Sequence, residues 1–145
     1  MVFFDTSVLV TALVTELPNH ERALDCLVKY SRKKGDSCTT THVLAEAYAC
    51  LTALPVKKRI SPMDAKSIIE ESLVKNLQIL TINTQTYLSA IRRVSNKGMT
   101  SGIIYDALHL EAAESCGCTQ LLTYNLKDFR RLEPLNILIV SPWEV

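Results

Sequence analysis

The chain has 145 residues, 48% of them hydrophobic and 21% charged, with 16 Lys and Arg against 15 Asp and Glu. One domain of this length buries a core without disulfide staples, and a formal charge of +1 excludes both a histone-like basic binder and an acidic solvating tail. Four Gly and five Pro are too few for a disordered or fibrous chain.

In chain order, residues 2–4 read as a short strand, and Ser7 as the cap of a helix reaching residue 15. A helix follows over 20–34, with Ala23, Leu24, Leu27 and Val28 at helical spacing. Residues 36–40 form a weak strand, and Thr41 caps a helix that Pro55 stops near residue 54. Ser61 and Pro62 open a helix to about residue 75. A strand over 77–81, a helix over 84–96 and a helix over 101–116 come next, the two helices stopped by Gly98 and Gly117. The last elements are a strand over 120–124, a short helix over 127–132 and a strand over 136–140. No repeat, linker or low-complexity stretch divides residues 1–145, which read as one domain. Strands alternating with helices predict an α/β fold with a mostly parallel sheet covered on both faces. Ligands in such sheets sit beyond the carboxyl ends of strands, which draws attention to Asp5 after the first and Asn125 after the fourth.

Five cysteines with no C-x-x-C pair argue against a disulfide framework. The opening M-V-F-F-D-T lacks the basic segment of a signal peptide, and the apolar stretch 6–15 is too short to span a bilayer. The expectation is a cytoplasmic protein with reduced thiols. Cys116 and Cys118 near His109 lack a fourth ligand at zinc spacing and read as packing residues.

Most acids, Glu111, Glu114 and Glu133 among them, read as solvated surface, and Asp64 as a first-turn residue. Three do not. Asp5 lies between Phe3–Phe4 and the apolar run Val8–Leu9–Val10. Glu46 is the only charge over 41–56, with Val43, Cys50 and Leu54 along its helix face. Asp106 shares a face with Ile103, Leu110 and Ala113, one turn before His109. A single acid on an apolar face reads as a hydrogen-bonded structural residue. Three, with no Lys or Arg beside them in sequence, point to a shared cation, because uncompensated buried carboxylates would otherwise take up protons. Oxygen ligands of this kind suit Mg²⁺ or Mn²⁺, ions that activate water against phosphate esters.

The segments F-D-T-S-V-L-V, A-E-A, Y-D-A-L-H-L-E-A-A and L-L-T-Y-N-L-K-D-F, in this order over residues 2–129, resemble the four motifs of PIN-domain ribonucleases, and most closely those of VapC-type toxins. The resemblance implies a three-layer α/β/α fold and Mg²⁺- or Mn²⁺-dependent endoribonuclease activity. It also implies an acidic metal site of Asp5, Glu46 and Asp106. The family's fourth position, often Asp, falls on Asn125, which can ligate through its carbonyl oxygen but brings no charge. Asp128 either adds a carboxylate or is a surface acid at the start of a short helix. Ser7 and Thr123 match hydroxyl positions near the family's site, Ser7 also reading as a plain cap. Implied partners are RNA, a second copy of the chain, and an antitoxin whose basic side chain enters the acidic pocket. Of the basic clusters, Lys127, Arg130 and Arg131 follow the site most closely and are the candidates for RNA phosphate contacts, with Lys57–Lys58–Arg59 second. Tyr105 and Tyr124 could stack on a base, whereas Tyr48 reads as core.

Two other enzyme classes fit less well. A haloacid-dehalogenase-type phosphatase needs a second Asp where Ser7 stands, and a receiver domain needs an acid after the third strand, where residues 77–83 have none. Asn125 is the one feature that favours a catalytically weak or inactive PIN-like RNA- or protein-binding module.

Overall fold

The computed structural model describes residues 1–33 and 35–145. Five strands, β1 (Val2–Phe4), β2 (Ser37–Thr40), β3 (Gln78–Leu80), β4 (Gln120–Leu122) and β5 (Leu138–Val140), form one sheet in the order β3-β2-β1-β4-β5. Every strand pair is parallel. The helices are α1 (Thr6–Leu13), α2 (His20–Tyr30), α3 (Thr41–Ala53), α4 (Pro62–Ile68), α5 (Thr84–Asn96), α6 (Ile103–Ser115) and α7 (Leu126–Arg131).

Alternation along the strands builds the layers, because successive side chains of a strand point to opposite faces. Val2, Phe4, Leu122 and Val140 join the core under α1 to α4, while Phe3, Cys38, Leu121 and Ile139 join the core under α5 to α7. The result is the expected three-layer α/β/α arrangement. Strand order reverses between β1 and β4, whose register sets Phe4 opposite Leu122. Asp5 and Thr123 therefore leave adjacent strands side by side at the switch point.

Several boundaries differ from the expectation. β1 matches the expected span, while β2 to β5 are each one to two residues shorter. The second helix ends at Tyr30, and Lys34, its expected last residue, lies outside the described residues. Thr40, not Thr41, caps α3: its hydroxyl accepts the Val43 N–H (3.3 Å). Ser7 is no cap but lies in the first turn of α1, where Asp5 occupies the cap position through its backbone. Ser61 caps α4 as expected, but the helix widens into a π-helical turn over Ile69–Val74, with the Lys75 N–H reaching the Glu70 carbonyl.

Candidate active site

The switch point opens into a cavity of about 660 Å³, lined by Asp5, Glu46, Asp106 and Asn125, with Ser7 and His109. Four elements deliver these residues. Asp5 ends β1, Glu46 comes from the middle of α3, Asp106 from the first turn of α6, and Asn125 from the turn between β4 and α7. The strand ends are rigid, and the helices are pinned by buried Ala47, Leu51, Ala107 and Leu110 around the two acids.

Asp5 is 5% exposed. Its Oδ2 accepts hydrogen bonds from Ser7 Oγ (2.6 Å) and from the buried Thr123 Oγ1 (2.8 Å). Those hydroxyls also tie the strand ends together. Ser7 Oγ accepts the Tyr124 N–H (3.1 Å), and Thr123 Oγ1 accepts the Asn125 N–H (2.9 Å). Both expected hydroxyl residues thus orient Asp5.

Glu46 Oε2 accepts hydrogen bonds from Thr6 Oγ1 and from His109 Nε2, the latter at 2.9 Å. Burial alone would raise the Glu46 pKa, but these bonds and the nearby imidazoles of His109 and His42 hold it below the usual carboxylate range. Asp106 is in the opposite condition. Its Oδ2 accepts one long hydrogen bond, from the Asn125 amide nitrogen at 3.4 Å. Burial first, then the charges of Asp5, Asp128 and Glu46, against the opposing influence of His109, push its pKa up to about 7.

Tyr124 lines the cavity with His109, whereas Asp128, Lys127, Arg130, Arg131, Tyr48 and Tyr105 are not among its lining residues. Asp128 stands in the first turn of α7 and pairs with Arg131 (3.3 Å). Arg130 reaches the Ile139 carbonyl (3.3 Å) and Glu144 (3.7 Å), while exposed Lys127 makes no ion pair among the described residues. Tyr48 is exposed rather than in the core, because its position on α3 faces outward. Tyr105 is 51% exposed beside Asp106 and stacks on His42, with centroids 5.3 Å apart and planes 12° from parallel. His109 has no part in a cysteine cluster, since it bonds Glu46 and Thr40 while Cys118 meets Cys38 at 3.3 Å.

The donor set suits a hard cation. Carboxylates and the Asn125 amide line one cavity whose described lining contains no Lys or Arg, and the upward shift of Asp106 reflects its burial first and the neighbouring carboxylates next. Among the described residues, no three His, Cys, Asp or Glu side chains already close on a single point. Asp5 and Glu46 each have one oxygen engaged by internal donors, so the protein presents a partial set of ligands rather than a closed cage.

The PIN domain profile matches residues 2–134. The chain belongs to the PIN domain family. Ribonuclease VapC40 of Mycobacterium tuberculosis is 28% identical over 94% of this chain and 96% of its own length. Ribonuclease VapC27 of the same organism is 33% identical over 76% of this chain and 75% of its own length. The crystal structure of Mycobacterium tuberculosis VapC20, a sarcin–ricin loop cleaving toxin, superposes with a TM-score of 0.73 at 15% identity, covering 95% of this chain and 99% of that one. A toxin–antitoxin complex from Klebsiella pneumoniae superposes with a TM-score of 0.68 at 16% identity over the whole of both chains. The PIN fold expected from the four motifs is the fold observed. Sequence reasoning missed the polar support of Glu46 by Thr6, Thr40 and His109 within that fold. The one available signal was a histidine one turn after Asp106 on an otherwise apolar face.

Proposed function

We propose that the protein is a VapC-type toxin, an endoribonuclease that hydrolyses RNA phosphodiesters with the help of Mg²⁺ or Mn²⁺. The observation that carries this reading is the convergence of Asp5, Glu46 and Asp106 on one cavity with no basic residue in its described lining. The named ribonuclease relatives of similar length support it. Asp5, Glu46 and Asp106 would hold the cation, with the Asn125 carbonyl oxygen as a neutral addition. Bound there, a divalent cation supplies Lewis acidity, lowers the pKa of water and offsets charge on the phosphate.

The chain's own residues prepare that chemistry. Ser7 and Thr123 fix Asp5 in one orientation, and the ordered backbone between Thr123 and Asn125 fixes the fourth position. Burial and the neighbouring carboxylates raise the Asp106 pKa to about 7, and a bound cation would favour its ionised, ligating form. Lys127, exposed on α7 next to the site, is free to meet an RNA phosphate, and the open face of the Tyr105–His42 stack offers a base a flat partner. Arg130 and Arg131 contribute positive potential less directly, because each already has an acidic partner.

A small antitoxin, supported by the toxin–antitoxin complex of the same fold, completes the reading, with a second copy of the chain as a further proposed partner. No helix among the described residues is long and apolar enough to cross a membrane, which is compatible with action on cytoplasmic RNA.

The test is cleavage of a mixed structured RNA by purified protein with Mg²⁺ or Mn²⁺ against EDTA, beside Asp5→Asn and Asp106→Asn. Metal-dependent cutting that falls to background in both variants is expected. Cutting that persists in the variants would remove the assignment. Metal binding without cutting of any RNA would favour the non-catalytic module that Asn125 suggests.

A further inference from the structure

His109 is 1% exposed, and its two ring nitrogens have different partners. Nε2 lies 2.9 Å from Glu46 Oε2, and Nδ1 lies 3.2 Å from Thr40 Oγ1. The Thr40 hydroxyl already accepts the Val43 N–H that caps α3, so its own proton is available to Nδ1. An ionised carboxylate accepts hydrogen bonds and donates none. Nε2 is therefore the donor to Glu46, and the Thr40 hydroxyl, with a proton and a second lone pair to offer, satisfies Nδ1. The Thr6 hydroxyl converges on the same carboxylate oxygen, Oε2. Oε1 receives neither bond; the nearest basic nitrogen, His42 Nε2, stands 3.6 Å away, beyond a hydrogen bond.

We propose that His109 is a positioning residue that, anchored at Nδ1 by Thr40, holds Oε2 of Glu46 through Nε2 and leaves the carboxylate a single oxygen with which to meet a cation. This inference rests on the metal-dependent reading above. A one-oxygen carboxylate suits a small ion with a strict six-ligand arrangement, whereas a carboxylate free to use both oxygens suits the larger and more permissive Ca²⁺. His109 thereby acts on which ion the cavity prefers as well as on how tightly it binds. Residues that orient a metal ligand in this way change metal affinity by about 10–100-fold when removed.

The experiment is calorimetric titration of Mn²⁺ and of Ca²⁺, without RNA, into the wild type, Asp5→Asn, His109→Phe and His109→Gln. Circular dichroism establishes that each variant is folded. His109→Phe keeps a ring and removes the donor; His109→Gln returns an N–H near the position of Nε2. The expected result is about 10–100-fold weaker Mn²⁺ binding by His109→Phe. Its Mn²⁺-to-Ca²⁺ affinity ratio should also fall, and His109→Gln should recover most of both. A wild type that binds no Mn²⁺, or an Asp5→Asn protein that binds it equally well, overturns the metal reading and this inference with it. If the wild type binds, Asp5→Asn does not, and His109→Phe matches the wild type or loses both ions in equal proportion, the role of His109 alone is overturned. Should His109→Phe not fold, the ¹⁵N shifts of the wild-type ring decide the matter. A proton on Nε2 is expected, and a ring protonated on Nδ1 alone overturns the inference.

Discussion

In the second half of α6, Glu111 and Glu114 grip Arg93 of α5 with contacts of 2.6 and 2.5 Å, all three side chains being 12–16% exposed. A turn and a half earlier on the same helix, Asp106 faces Asp5 and Glu46 across a cavity with no Lys or Arg in its described lining. Both groups are largely withdrawn from water. In the first, one guanidinium bridges both carboxylates, and Glu114 also accepts the Leu135 N–H, so each carboxylate has a partner within the protein even though the cluster keeps a net negative charge. In the second, the negative charge is left over. Burial does not separate a structural acid from a functional one; the identity of the compensating group does.

Four substitutions or conditions would break or sharpen that contrast. The largest effect belongs to Asp106→Asn, which is expected to take RNA cleavage to background while leaving metal-free stability unchanged or higher, since it removes charge repulsion. Chemical denaturation in EDTA beside the cleavage assay checks both halves. Arg93→Ala should do the reverse. It strands two half-buried carboxylates and should cost about 3 kcal/mol of stability. Activity per folded molecule should hold, and a Glu111→Gln, Glu114→Gln background should recover much of the loss. Thr40→Val comes next, with about 1 kcal/mol from the lost cap of α3, read by urea denaturation. The last prediction is a pH dependence of the metal-free protein. Asp106 keeps its proton to about pH 7 when folded but releases it near 3.8 when unfolded. The folded state therefore binds more protons across that window, and stability falls as pH rises from about 4 to about 7. Melting temperatures in EDTA at pH 5 and pH 8 would show it, and Asp106→Asn should flatten this part of the profile.

The same contrast explains what could be read from the chain alone. Asp5, Glu46 and Asp106 stood out because each interrupts an apolar pattern, a local signal visible within one turn of helix or one strand end. The alternation of strands and helices gave the layered architecture for the same reason. Glu111 and Glu114 were read as solvated because their neighbours in sequence are polar; their partner Arg93 lies 18 and 21 residues away on another helix. The role of His109 is not legible in the sequence because its bond to Glu46 spans 63 residues. Cap positions slipped where two hydroxyls adjoin, as at Thr40 and Thr41, since backbone geometry decides which one faces the open N–H groups. Pairings between distant segments are set by topology, and a window along the sequence does not contain them.

The central place of β1 has a consequence for synthesis. Asp5 is held by Thr123, 118 residues later in the chain, and Phe4 is paired with Leu122. A ribosome adding about 5–20 residues per second needs several seconds or more between making the first of these residues and the second. During that interval the carboxylate of Asp5 has neither its strand neighbour nor its orienting hydroxyl, and no catalytic cavity exists on the nascent chain. On the proposed reading, the cavity is assembled only when the fourth strand has emerged, and a nascent chain short of Thr123 lacks the means to act as a nuclease.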